Sequence, residues 1–291
     1  MEIELRRDGA AARADTHGGE LFSYCTPGGE QVIWGGDPAS WSGRSPVLFP
    51  LIGGVRDRIT QIDGRCTKVK NHGFGRNLEY EITAQTEYAV TLRARETEYT
   101  LSVFPWPFAL EITHALTGRG FVTRYRVTNT GERAFSYCIG GHVGLCCPRG
   151  GDAFEDYELL FPQPTAVHLL PVQTTALPAQ QTTRVLRPEV SELALERGLF
   201  DQGTLYLEQP GLHTVTLRSR KSGHGVTMDY SGFPIMAFWT KEGAAAPFVC
   251  IEPWHGLPEM EGESGRFEDK PYLIPLVPGE SCALEYTVSI F

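Results

Sequence analysis

After Ser281 the chain alternates without a break. Cys282, Leu284, Tyr286, Val288 and Ile290 fall on one side of an extended backbone, and Ala283, Glu285, Thr287 and Ser289 on the other. A period of two separates apolar from polar side chains only in a strand; a helix of about 3.6 residues per turn would scatter the same apolar groups around its circumference. The pattern recurs. Leu110, Ile112, His114 and Leu116 oppose Glu111, Thr113, Ala115 and Thr117; Phe121, Thr123, Tyr125 and Val127 oppose Val122, Arg124, Arg126 and Thr128. These are expected to be antiparallel strands with one buried face. Turn signals separate such runs: TGRG from Thr117, TNTGE from Thr128, KSGHG from Lys221 and VPGE from Val277. Thirty-two glycines and 20 prolines supply many more turns. Only RPEVSELALERG, Arg187 to Gly198, reads as helical. The expectation is an all-β fold, a large sandwich or barrel, with residues 1–291 as a single domain. LPAQQTTRVLRPE is expected as a long surface loop within that domain rather than a linker.

Charge narrows the partners. A net charge of -9 argues against nucleic acid and anionic membranes, which both select basic patches. It suits a neutral or small ligand. No apolar run is long enough to span a bilayer, and the first residues lack the apolar core of a secretion signal. The seven cysteines are odd in number and irregularly spaced, without a CxxC pair, so several read as small buried hydrophobes. A cytoplasmic setting is expected.

Three places carry polar groups against the local pattern. In NHGFGR, His72 sits in a Gly-rich turn where backbone can approach a ligand closely; taken alone, it also fits an ordinary surface turn. In FSYCIGGHVGLCCP, His142 follows an apolar run and two glycines that could bend the strand and re-aim the imidazole. A buried histidine bonded to a backbone carbonyl fits the same pattern. In APFVCIEPWHGLPE, an apolar run ends at Glu252, and Pro253 and Trp254 close it. A carboxylate partly desolvated beside an indole has a raised pKa and is a better base where its ionised form persists; a structural glutamate paired with an arginine is the alternative. No HxH or HExxH spacing supports a metal triad of these histidines and Glu252, so no metal is expected. No P-loop or GxGxxG motif supports a nucleotide.

Taken together, NHGFGR, IGGHVGL and VCIEPWHG, in this order, resemble the site motifs of the aldose 1-epimerase (galactose mutarotase-like) family. The resemblance is closest to its short bacterial mutarotase-like subgroup. VIWGGDPASWSGRSPVLFPLIGGVRDR, TLRSRKSGHGVTM and LVPGESCALEYTVSI resemble its flanking segments, so nearly the whole chain is covered. The resemblance implies a β-supersandwich of large antiparallel sheets that interconverts the α and β anomers of an aldose without a cofactor. By motif, Glu252 would take the proton of the C1 hydroxyl, His142 would protonate the ring oxygen, and His72 would hydrogen-bond the sugar. The family's arginine has no direct counterpart, because Gly53-Gly54 stands where the subgroup has Gly-Arg. Arg58, in DRI, is the preferred replacement, with Arg56 and Arg76 as further candidates. Asp201, in LFDQG, stands near the place of the family's hydroxyl-binding aspartate. Phe74, Trp239 and Trp254 are candidates for stacking on the sugar. The partner is then a small sugar, and the chain a monomer or homodimer. A hexose-6-phosphate epimerase and a non-catalytic sugar-binding or regulatory module are the alternatives.

Overall fold

The alternating segments are strands, and their turns are where the punctuation puts them. In the computed structural model, which describes residues 1–172, 183–208, 211–243 and 245–291, Phe108–Thr117 and Gly120–Asn129 form a hairpin across the TGRG turn. Ser281–Ile290 pairs with the second of these strands, Tyr125 opposite Leu284. Leu110, Ile112, His114, Leu116, Phe121, Thr123, Tyr125 and Val127 all point inward and are buried. Each large apolar side chain buried this way contributes about 1.5–3 kcal/mol.

Among the described residues, fifteen strands join into one sheet. Its order is Val47–Leu48, Ile139–Gly141, Phe248–His255, Ile235–Trp239, Leu205–Glu208, Tyr157–Leu169, Thr214–Ser219, Gly225–Asp229, Ser281–Ile290, Gly120–Asn129, Phe108–Thr117, Ala89–Arg95 and Glu81–Gln85. Val143–Cys146 also pairs with Phe248–His255, and Arg184–Ala194 with Tyr157–Leu169. A smaller sheet of Glu2–Arg7, Ala10–Asp15 and Leu21–Cys25 precedes it, and two two-stranded sheets flank it. Among the described residues every strand pair is antiparallel. One apolar cluster runs through the molecule from Ile3 to Val288. No helix among the described residues is long and apolar enough to cross a membrane.

Two expectations are corrected. Arg187 to Ala194 is not helical but part of the strand Arg184–Ala194, with Leu193 opposite Leu159. Pairing with a neighbour overrides the helix preference of its Glu, Leu and Ala residues. The strand's other side is unpaired among the described residues, and its ladder is shifted at three points, which accommodates Pro188. Residues 184–189 of the expected loop are therefore strand, and 177–182 lie outside the described residues. The second correction concerns Glu252. The strand Phe248–His255 does not stop there but continues through Pro253 and Trp254.

Candidate active site

The register of one strand assembles the site. Phe248–His255 pairs on one side with Ile235–Trp239, setting Trp239 opposite Cys250 and Ala237 opposite Glu252. On its other side Val143 lies opposite Ile251 and Gly140 opposite Trp254. His142, in the break between the two short strands, therefore falls across from Glu252. Directly opposed residues of an antiparallel pair share a face. His142 Nε2 consequently lies 3.2 Å from Glu252 Oε2, with the side chains 10% and 1% exposed.

Small residues on this face leave room for large ones. A Cβ on Gly140 would lie 2.8 Å from Trp254 Cδ1, and one on Gly144 would lie 2.9 Å from Trp41 Cζ3. Gly140 and Gly144, on either side of His142, thus serve close packing, and the register with Phe248–His255 is the same before and after His142, so no bend is needed to aim the imidazole. Trp41 stacks on the His142 ring at 4.9 Å between centroids and 27° between planes, and Trp239 meets it edge-on at 5.9 Å. The Trp41 loop is held by Trp34 Nε1, which donates to the Trp41 carbonyl at 2.8 Å.

His72 approaches from a different loop. Its ring centroid is 5.5 Å from that of His142 and 6.1 Å from Trp254. The residue adopts φ 61° and is locked to Gly53 twice. Its N–H donates to the Gly53 carbonyl at 2.8 Å, and the Gly53 N–H donates to His72 Nδ1 at 3.0 Å. Gly53, at φ 66°, has no space for a side chain, because a Cβ would lie 2.3 Å from Pro258 Cβ. With Nδ1 accepting, the neutral ring carries its proton on Nε2, a donor for a ligand oxygen.

Burial sets the electrostatics. It pushes the Glu252 carboxyl well above the ordinary carboxylate range. The Trp254 indole, on the same face, offsets part of this without an aligned hydrogen bond. Burial and then the charge of Arg76 hold His142 down at about 3. Burial, His142 and Arg76 keep His72 well below its ordinary value. Both imidazoles are therefore neutral at pH 7. His142 Nδ1, Glu252 Oε2 and Trp254 Nε1 are buried polar atoms without a hydrogen-bond partner. Such atoms are rare in folded proteins, and each calls for an explanation such as a catalytic role or a bound water or ion.

The remaining sequence candidates divide. Arg76 is half-buried, donates to the Asn71 carbonyl at 2.9 Å, and its charge acts on both histidines. Glu20 in turn acts on Arg76 and is ion-paired with Arg44. Arg58, the preferred arginine from sequence, is exposed on a tight turn. Arg56 is half-exposed and pairs with Glu259 at 3.8 Å. Phe74 is a core residue, stacked with Phe108 and edge-on to Phe49, rather than a ring facing a sugar. Asp201 is exposed and accepts the Gly243 N–H at 3.4 Å, in the turn beyond Trp239. Trp239 bonds Glu242 at 3.0 Å and edges His142; Trp254 is buried beside His72. Trp41 and Glu20 were not singled out from sequence. The available signal for Trp41 was an indole in the polar, turn-rich run DPASWSG, where so large an apolar surface needs a partner. A cavity of about 400 Å³ lies over the outer sheet face at Thr91, Glu111 and Arg124, away from these residues. Arg124 is already paired with Glu285 there, and no imidazole lines it.

The family model for aldose 1-epimerase matches residues 1–289. The chain belongs to the aldose 1-epimerase family. Protein LacX (plasmid) of Lactococcus lactis subsp. lactis is 31% identical over 300 residues, covering 100% of this chain and 99% of that protein. Among solved structures, a galactose mutarotase-like protein from Lactobacillus casei superimposes with TM-score 0.92 at 26% identity, covering 100% of both chains. A galactose mutarotase related enzyme from Lactobacillus acidophilus also reaches 0.92, at 24% identity, covering 100% of this chain and 97% of that one. The all-β fold expected from the alternation is the fold of these proteins, and family membership places the chain among sugar epimerases.

Proposed function

We propose that the protein is an aldose 1-epimerase acting on a free sugar, with Glu252 and His142 as the proton-transfer pair. The observation that carries this reading is the buried 3.2 Å contact between them, facing a neutral His72 with a donor to offer. Ring opening takes a proton from the anomeric hydroxyl, delivers one to the ring oxygen and breaks the C1–O5 bond. The pair holds one proton that can sit on either partner. As carboxylate and imidazolium, Glu252 takes the hydroxyl proton while His142 gives its own to the ring oxygen. The pair then stands as carboxylic acid and neutral imidazole, the form that burial favours. After rotation about C1–C2 the same transfers run backwards and close the ring on the other face. The charge of Arg76 makes imidazolium at position 142 a stronger acid, which speeds its donation. His72 Nε2–H supports the charge that develops on the ring oxygen. Trp41 and Trp239 frame the imidazole and exclude water from it.

Phosphate recognition would need several cations turned inward. Arg56 is engaged by Glu259 and Arg58 faces solvent, so an unphosphorylated aldose fits better than a hexose 6-phosphate. The test is optical rotation of freshly dissolved α-D-glucose, α-D-galactose and a hexose 6-phosphate, corrected for spontaneous mutarotation. Acceleration of a free sugar is the expected result. Binding without acceleration of any sugar would instead mark a sugar-binding module.

A further inference from the structure

No proton transfer above uses Cys250, yet strand alternation sets its thiol on the same face as Glu252. A ring nitrogen of His142, Cys250 Sγ and a Glu252 carboxylate oxygen lie within 4.8 Å of one another. All three residues are buried, Cys250 at 0% exposure. Two of them hold polar atoms with no partner, His142 Nδ1 and Glu252 Oε2. We propose that His142, Cys250 and Glu252 form a three-ligand site for a thiophilic divalent cation of the Zn²⁺ type, and that the bound cation switches the proton-transfer pair off. The blocking effect, though not the binding, rests on the function proposed above.

The donor set fits this ion. Zn²⁺ takes thiolate, imidazole and carboxylate at about 2.0–2.3 Å, which requires donors about 3.3–3.7 Å apart. Small side-chain rotations close the remaining distance. Thiolate and carboxylate together carry two negative charges, and the imidazole carries none, so a divalent cation makes the buried cluster neutral. That removes the penalty which each anion pays alone in this interior. Binding releases two protons to solvent, that of the thiol and the one held by the Glu252–His142 pair, and leaves one coordination position for water or a sugar hydroxyl. The set also explains why no metal motif is visible in the sequence. Cys250 and Glu252 are two apart on one strand, but His142 joins them only through the register across the sheet.

The test is titration of the metal-free, reduced protein with Zn²⁺ against a chromophoric chelator, and with Co²⁺ by absorption spectroscopy. One Zn²⁺ per chain and a thiolate-to-Co²⁺ charge-transfer band are expected. Cys250→Ser should remove the band and weaken Zn²⁺ binding at least about tenfold; Glu252→Gln and His142→Asn should weaken it by a similar factor. Cys66→Ser, at the exposed cysteine, should change neither. Circular dichroism checks each fold, and the Glu252 and His142 variants carry the test if Cys250→Ser does not fold. No binding by the wild type, or binding unchanged in the site variants, overturns the site. In the mutarotation assay, stoichiometric Zn²⁺ should remove at least about nine-tenths of the rate; full activity with Zn²⁺ bound overturns the switch. A metal-free protein that binds Zn²⁺ yet accelerates no sugar would overturn the proposed function and leave the metal site standing.

Discussion

His114 and His142 are both buried in the large sheet, and burial holds both imidazoles below 6.5. Their rings are provided for differently. His114 lies opposite Thr123 in register; its Nδ1 accepts from the Thr123 hydroxyl at 2.9 Å, and its Nε2 donates to the Gly19 carbonyl at 3.0 Å. A neutral ring has one donor and one acceptor, and here both are used. His142 has Nδ1 unpartnered and Nε2 against a carboxylate. A fully satisfied imidazole stabilises a fold, whereas one left with unused capacity beside a second titratable group can move protons. The two regions should therefore separate stability from turnover.

The largest effect belongs to the His142 region. Glu252→Gln is expected to lower kcat about 10²–10⁴-fold. Its melting temperature should hold or rise, because burial disfavours the carboxylate and the amide carries no charge in any state; full activity in the variant would remove Glu252 from the mechanism. His142→Asn should lose rate over the same range. At His114 the expected effect is on stability alone. Its pKa is about 4 in the fold against 6.5 for a free histidine, so the unfolded chain binds the proton first as pH falls. Its contribution is complete above pH 6.5 and is lost on going down to about pH 4, by roughly 3 kcal/mol. Denaturant unfolding at pH 7, 5 and 4, repeated on His114→Leu, isolates this term as the part of the pH slope that the variant lacks. At pH 7 His114→Leu leaves the Gly19 carbonyl without its donor and should cost about 1–3 kcal/mol, with kcat near wild type. A kcat loss as large as that of His142→Asn would erase the distinction between the two histidines.

The arginines carry the smallest effects. Arg76→Ala should lower kcat/KM about tenfold, since imidazolium at position 142 becomes a weaker acid without that charge. Arg58→Ala should change it by less than about twofold, as for other exposed side chains away from a site. The reverse order, read from the same rotation assay, would restore Arg58 as the arginine of the sugar.

Much of this molecule is legible in one dimension. Alternation is local, so the sequence alone marks residues 110–117, 121–128 and 282–290 as strand, with their faces and turns, and the strands of the structure contain them. His72, His142 and Glu252 stand out because each breaks the expected polarity of its segment. Local pattern fails where a partner decides the outcome. Arg187–Ala194 carries helix-forming residues but pairs along Tyr157–Leu169. Phe74 lies two residues from His72, yet its ring packs among Phe49 and Phe108. The stacking of Trp41 on His142 and the meeting of His142 with Cys250 and Glu252 depend on contacts between segments far apart in the chain, and the proposed choice of Arg76 over Arg58 rests on which of the two is exposed. Spacing along the backbone carries hydrophobic period and turn chemistry; register and packing across strands decide which side chains touch, and therefore which can share a proton.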